Sequence, residues 1–192
     1  MMRILGIDPG LRCTGWGVIA VDGGRLQHIA NGAIQPKTTL DDAARLQIIF
    51  DGLCEAINLH QPDQAAIEQI FVAKSAGSAL RLGMARGVGI LACGVNRLGV
   101  GEISARAVKK AVAGTGNADK KQIQDMVTRL LAVTAQNADA ADALAIAIAA
   151  SNEAGTAASV GLELGKGQAT GGLSAAIAAA LARDDAGNGG KT

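Results

Sequence analysis

Short apolar runs in the first third of the chain predict three β-strands, over Arg3–Asp8, Thr14–Val21 and Leu26–Ile34. The segment Asp22-Gly23-Gly24 separates the second run from the third. Aspartate followed by glycine between two apolar runs is a strong signal for a tight hairpin turn. We therefore expect these three strands to be antiparallel to their neighbours.

Apolar residues then recur with the period of an α-helix. Five of them, at steps of three and four, form one stripe along a helix predicted over Leu40–Leu59: Leu46, Ile49, Phe50, Leu53 and Ile57. The same patterns predict strands over Ala65–Glu68 and Val100–Ile103, and helices over Ser75–Val95, Ala105–Ala113, Asp119–Val133 and Asp139–Ala150. This order predicts an α/β fold with a mixed five-stranded sheet, three antiparallel strands then two parallel, flanked by helices.

Composition sets limits on the organisation of the chain. The aromatic fraction is 2% and tyrosine is absent, so the core is built from aliphatic residues. We expect one domain over residues 1–152 and a Gly/Ala-rich, mostly disordered tail over 153–192, which has too few apolar groups to offset its ordering entropy. The apolar stretches fall short of the roughly 20 residues of a membrane span, and the start lacks a signal-peptide layout. We expect a cytoplasmic protein without membrane contact.

Four acidic residues lie where predicted core segments end or begin. Asp8 and Glu68 follow apolar strand segments, and Asp139 and Asp142 lie three apart at the head of a predicted helix. A carboxylate beside buried residues is costly unless a cation meets it, and a parallel pairing of strands 1 and 4 would put Asp8 beside Glu68. The four acids therefore suggest a divalent metal ion. Only Asn137 or Asp139 is available to cap that helix, and in the alternative interpretation Asp139 is the N-cap and Asp142 is a solvated residue.

Several blocks of the sequence, in order, resemble the RuvC family of Holliday-junction resolvases, over roughly residues 2–152. They include Gly6-Ile7-Asp8-Pro9-Gly10, Ala66-Ile67-Glu68-Gln69, Ser78-Ala79-Leu80-Arg81-Leu82-Gly83, Gly114-Thr115-Gly116 and Asp139-Ala140-Ala141-Asp142. The resemblance implies a ribonuclease-H-like fold, a homodimer and metal-dependent nicking of four-way DNA junctions in recombination and repair. The metal that the resemblance implies is magnesium, two ions per active site, with manganese able to substitute. A complex with a branch-migration motor is a further implied partner.

The resemblance also implies roles for individual residues. The four metal ligands of the family fall on Asp8, Glu68, Asp139 and Asp142, and its junction-facing aromatic residue falls on Phe71. Basic residues important near the cut strand fall on Lys109 and Lys120, the latter catalytic as well as DNA-binding. Ile103 stands where relatives often have tyrosine, which argues against a polar or stacking role at that position.

Other basic residues lie in or near the loop that carries Phe71. Lys74 is part of that loop, and Arg81 and Arg86 follow on the next predicted helix. All three are candidate contacts to DNA. For Arg81 and Arg86, a solvated surface position is an equally simple interpretation. The formal net charge of +1 does not by itself indicate a nucleic-acid-binding protein.

The residue types fit a two-metal hydrolysis, in which ions about 3.5–4 Å apart activate water and stabilise the leaving oxygen. Two alternatives remain open. One is an actin-like or sugar-kinase-like ATPase, whose fold and first strand are similar; the chain is short for its two lobes and has no second Gly-rich phosphate loop, so we expect no nucleotide cofactor. The other is a non-catalytic dimer that binds junctions through the same face.

Overall fold

The computed structural model describes residues 1–69 and 76–159 of the chain. It contains five strands and five helices in that part of the sequence. In chain order they are β1 (Met2–Asp8), β2 (Thr14–Asp22), β3 (Arg25–Ile34), α1 (Asp42–His60), β4 (Gln64–Glu68), α2 (Ala76–Val95), β5 (Val100–Ile103), α3 (Ala105–Ala113), α4 (Lys120–Leu131) and α5 (Ala138–Ser159).

The strands form one mixed sheet in the order β3-β2-β1-β4-β5. β1 pairs antiparallel with β2 and parallel with β4, and β4 pairs parallel with β5. Gly23 and Gly24 both have positive φ in the turn between β2 and β3, a conformation that glycine adopts without steric cost. The predicted architecture, three antiparallel strands followed by two parallel ones, is confirmed.

Helices cover both faces of the sheet, and each face has its own apolar core. Successive strand residues point to opposite faces, so Ile4 packs with Leu144 and Ile148 beneath α5, α3 and α4. Leu5 and Ile7 are in the other core, which α1 and α2 cover. The edge of the sheet at which β1 and β4 end is therefore supported from two sides.

α5 lies unusually close to the sheet because glycine and alanine meet at their interface. A Cβ atom at Gly6 would collide with the carbonyl of Ala143, and one at Gly15 would collide with the carbonyl of Asp139. This contact fixes the start of α5 beside the end of β1. The helix continues to Ser159, past the predicted domain boundary at residue 152, and the rest of the predicted tail, 160–192, lies outside the described residues.

α2 buries one face and exposes the other. Ala85, Gly89, Ala92 and Cys93 are its buried residues. By length and composition alone, α2 is the one helix within residues 1–69 and 76–159 that could cross a membrane. Its buried face belongs to the core of the domain.

Candidate active site

Two of the predicted acids end adjacent parallel strands. Asp8 is the last residue of β1 and Glu68 is the last residue of β4. The strands are in register with Ile7 opposite Ile67, so the next residue of each strand emerges at the same edge of the sheet. The predicted side-by-side placement of Asp8 and Glu68 follows from this pairing.

The other two acids project from the first turns of α5. Asn137 caps that helix, since its Oδ1 accepts a hydrogen bond of 2.9 Å from the backbone N–H of Ala140. The alternative in which Asp139 is the cap is therefore wrong. Asp142 is half-buried rather than solvated, and its Oδ2 lies 2.6 Å from Nζ of Lys120.

Three of the four carboxylates share one cavity of about 210 Å³, which we call the acidic pocket. Its polar lining comes from Asp8, Glu68, Asp142, Lys109 and Lys120. Asp139 lines an adjoining cavity instead, but its charge still raises the pKa values of Asp8 and Asp142. The structure thus brings three acids and two lysines into one pocket, with the fourth acid at its margin.

Burial and crowding of like charges raise the pKa of the acids. Burial is the larger cause of the rise in the pKa of Asp8 to about 7, followed by the charges of Asp142, Glu68 and Asp139, whereas Lys120 lowers it. Burial, then Asp142, raises the pKa of Glu68 against the opposing effect of Lys120 and Lys109.

For Asp142, burial raises the pKa and the hydrogen bond from Lys120 opposes the rise. The two effects act on one carboxylate because Lys120 is its direct ion-pair partner. The lysines therefore do not fully offset the combined effect of burial and of repulsion between the carboxylates.

An all-oxygen donor set of this kind fits a hard divalent cation such as Mg²⁺ or Mn²⁺ better than zinc. The uncompensated charge of the acidic pocket is the observation that supports such an ion. Across residues 1–69 and 76–159, no three carboxylate, imidazole or thiol groups stand close enough to enclose an ion between them. The acids therefore line an open pocket rather than a closed cage.

Lys120 reaches the pocket because of the way α4 begins. Asp119 caps the helix and forms a reciprocal capping box with Gln122, which makes Lys120 the first helical residue. Hydrogen bonding and attraction to Asp142 raise the pKa of Lys120, so its ammonium group stays charged. Lys109 extends from α3 on the same side of the pocket.

The remaining predicted contacts are spread around this site. Arg81 is exposed on α2 and lines the adjoining cavity. Arg86 is mostly buried; its Nε donates to the carbonyl of Glu68 at 3.3 Å, and its Nη2 lies 2.6 Å from Oε1 of Glu102. Phe71 and Lys74 lie outside the described residues. Ile103 is 2% exposed and belongs to the core, as expected for a residue without a polar role.

Sequence reasoning missed Arg45, which is 9% exposed and lines the adjoining cavity. A signal was present, because Arg45 precedes Ile49 and Leu53 by one and two helical turns. These steps put it on the stripe that the helix buries. An arginine on a buried stripe needs partners, and that requirement marks it as a candidate functional residue.

Comparisons with known proteins agree with the architecture. Residues 4–150 match the family model of crossover junction endodeoxyribonuclease RuvC. The sequence is 50% identical over 152 residues to the enzyme of that name from Caulobacter sp. strain K31, covering 79% of this chain and 90% of the relative. It is 52% identical over 156 residues to the enzyme of the same name from Geobacter metallireducens, covering 80% of this chain and 94% of the relative.

Solved structures show the same fold. The structure of T. thermophilus RuvC in complex with a Holliday junction substrate has a TM-score of 0.76 and 28% identity, covering 80% of this chain and 95% of that one. The yeast mitochondrial Holliday junction resolvase has a TM-score of 0.54 and 14% identity, covering 77% of this chain and 78% of that one. This second likeness shows the fold alone. This chain belongs to the RuvC family of crossover junction endodeoxyribonucleases.

Proposed function

We propose that this protein is an endonuclease that resolves four-way DNA junctions in homologous recombination and repair. It does so by paired, symmetric nicks, each made by metal-dependent hydrolysis of a phosphodiester. The observation that carries the proposal is the acidic pocket, where the pKa of Asp8 is raised to about 7 at the edge shared by two parallel strands. Membership of the family supplies the substrate class.

Asp8, Glu68, Asp139 and Asp142 would hold Mg²⁺, two ions per site, or Mn²⁺ in its place. A bound pair of such ions lowers the pKa of an attacking water and stabilises charge on the leaving oxygen. Asp8 is central to the arrangement because all three other acids raise its pKa. A bound cation would relieve this repulsion, so Asp8 would be a ligand with the other acids.

The lysines supply positive charge where a phosphate would enter. Lys120 keeps its proton and holds Asp142 through the 2.6 Å contact, so it orients one carboxylate and presents an ammonium group to the same pocket. Lys109 lines the pocket from α3. Phosphate contacts by both residues would steady the DNA strand over the carboxylates.

A labelled four-way junction and a matched linear duplex, each incubated with Mg²⁺ and then with chelator, test this proposal. We expect paired nicks in the junction only, in the presence of the metal. Asp8→Asn should abolish nicking while junction binding persists. Metal-independent cutting, or unchanged cutting by Asp8→Asn, would contradict the assignment, and junction binding without any nicking would favour the non-catalytic alternative.

We further propose that the protein is a homodimer that pairs through α2. Leu80, Gly83, Gly87, Leu91 and Gly94 are exposed on this helix, at successive steps of three, four, four and three residues. This spacing puts them along one stripe. A Cβ at any of the three glycines would meet nothing within 4 Å, so a second helix could approach closely. A two-fold dimer would set two acidic pockets against a pseudo-symmetric junction.

The remaining assignments complete the proposal. Arg81, with Phe71 and Lys74 outside the described residues, would contact DNA, and a branch-migration motor would be a partner. We propose a cytoplasmic protein without membrane contact, with a nuclease domain over residues 1–152 and a tail over 153–192 whose first residues continue α5. The family relatives do not favour the ATPase alternative, and tight ATP binding in calorimetry would revive it.

A further inference from the structure

A second cavity adjoins the acidic pocket, and three arginines line it. We call it the arginine notch. Its volume is about 490 Å³, and its lining includes Arg12, Arg45 and Arg81 together with Gly10 and Asp139. Gly10 follows Asp8 by two residues, and the charge of Asp139 acts on the pKa of Asp8, so the notch lies beside the site of hydrolysis.

Arg45 is the buried member of this set. Its Nη2 donates to the carbonyl of Leu11 at 2.9 Å, and its Nη1 lies 3.5 Å from Oδ1 of Asp42. The buried Nε of Arg45 meets no acceptor in the part of the chain that the structure describes. A buried guanidinium with an unsatisfied donor is costly, and an anion beside it would offset that cost.

The contact with Leu11 also fixes the turn that presents Arg12. The turn closes on itself, since Thr14 Oγ1 donates to the carbonyl of Gly10 at 2.8 Å. Arg12 is exposed at its tip. Across the notch, Arg81 Nε donates to the carbonyl of Gly77 one helical turn earlier, at 3.3 Å, which draws its side chain toward the start of α2.

We propose that the arginine notch binds a backbone phosphate of the cut DNA strand, one that flanks the scissile phosphate. A guanidinium group can donate two parallel hydrogen bonds to the oxygens of one phosphate. The notch has two exposed guanidinium groups, and Arg45 fixes the turn that carries one of them. Arg12 and Arg81 are the exposed phosphate contacts; Arg45 positions the turn through Leu11, and the charge of the phosphate offsets the cost of its unsatisfied Nε. This inference rests on the proposed function and assigns the path of the strand as it leaves the acidic pocket.

The decisive experiment uses the full-length Arg12→Ala/Arg81→Ala double variant, because both residues are exposed and their loss leaves the core intact. Junction affinity is measured in Ca²⁺, across salt concentrations from about 50 to 200 mM. Each lost phosphate contact should reduce the slope of log K against log salt by about 0.9. Between these salt concentrations, the affinity of the wild type should therefore fall roughly tenfold further than that of the double variant. Arg129→Ala, at the far end of α4, is the matched control and should keep the wild-type slope.

A second measurement locates the phosphate. Single methylphosphonates are placed in turn along the cut strand, which removes one charge at a time. We expect one position near the nick where the substitution weakens wild type but has little further effect on the double variant. Equal salt slopes and the same methylphosphonate profile for both proteins would overturn the inference. A wild-type protein that neither prefers junctions nor nicks them would instead overturn the proposed function.

Discussion

The ammonium group of Lys120 lies 2.6 Å from Oδ2 of Asp142 and lowers the pKa of Asp8, Glu68 and Asp142. One lysine thus limits the mutual repulsion of three carboxylates. The same contact joins the start of α4, which carries Lys120, to α5, which carries Asp142. Removal of Lys120 should therefore change both the rate of nicking and the dependence of that rate on pH.

For Lys120→Ala we expect a fall in nicking rate on the order of 10²-fold, as for other losses of a fixed electrostatic group. Without the lysine charge, the carboxyl groups keep their protons to higher pH, so the acidic limb of the pH–rate profile should move toward higher pH. Single-turnover nicking at saturating Mg²⁺ measures both effects. Lys121→Ala is the neighbouring control and should leave the limb in place; a rate loss without a pH shift would show that Lys120 acts only on DNA.

Asp8 should make the free energy of unfolding depend on pH. Its pKa is about 7 in the folded protein against 3.8 for the unperturbed group, so the native state binds more protons than the unfolded state between these values. Stability should therefore fall as pH rises from about 4 to about 7 and stay lower above that. Asp8→Asn should show a flatter dependence, and denaturant unfolding across this range, without divalent metal, measures it.

The same carboxyl group predicts how metal binding responds to pH. A ligand must lose its proton before it coordinates, so Mg²⁺ affinity should increase up to about pH 7 and then level off. Proton release should accompany binding below that pH, which calorimetry in buffers of different ionisation enthalpy detects. Binding that is independent of pH between about 5 and 7 would show that Asp8 is not a ligand.

Arg86 should act on Glu68 rather than on DNA. Its contacts with the Glu68 carbonyl and with Glu102 tie α2 to the ends of β4 and β5. For Arg86→Ala we expect nicking to slow by roughly tenfold or more, because small displacements of catalytic groups are costly, with little change in junction affinity. Glu102→Gln should also lower the nicking rate. An affinity loss that matches the rate loss would support the DNA contact considered from the sequence.

The close packing of α5 on β1 can be tested with one methyl group. Gly6→Ala would drive a Cβ into the carbonyl of Ala143 and toward the backbone of Ala147. Such overpacking costs about 1–3 kcal/mol, and more where backbone has to move. Gly101→Ala, whose added Cβ would approach no atom more closely than 3.9 Å, is the control. Urea unfolding compares the two, and a neutral Gly6→Ala would refute the contact.

The sequence predicts much of this fold because its elements are separated by clear turns and periodic apolar residues. β5 and α3 have the bounds predicted for them, and α5 starts one residue earlier than expected. Its extension to Ser159 was missed because alanine, serine and glycine carry little periodic signal. The placement of the four acids at the ends of predicted segments suggests a metal ion, the family resemblance adds their role as its ligands, and strand register now explains the pairing of Asp8 with Glu68.

What the sequence could not supply is the set of contacts between segments far apart in the chain. Arg45 and Leu11 are 34 residues apart, and no local pattern relates an arginine on one helix to a carbonyl in a distant turn. The choice of Asn137 rather than Asp139 as the cap of α5 was also open, since both residue types serve at that position. Only the folded chain distinguishes them.

The close contacts between α5 and the sheet also determine where the acids of α5 lie. At Gly6 and Gly15 the spacing between helix and strand is set by peptide group against peptide group, and those dimensions are the same whatever side chains surround them. These two contacts between main-chain groups therefore hold the start of α5, with Asp139 and Asp142, at a fixed distance from the strand that ends in Asp8.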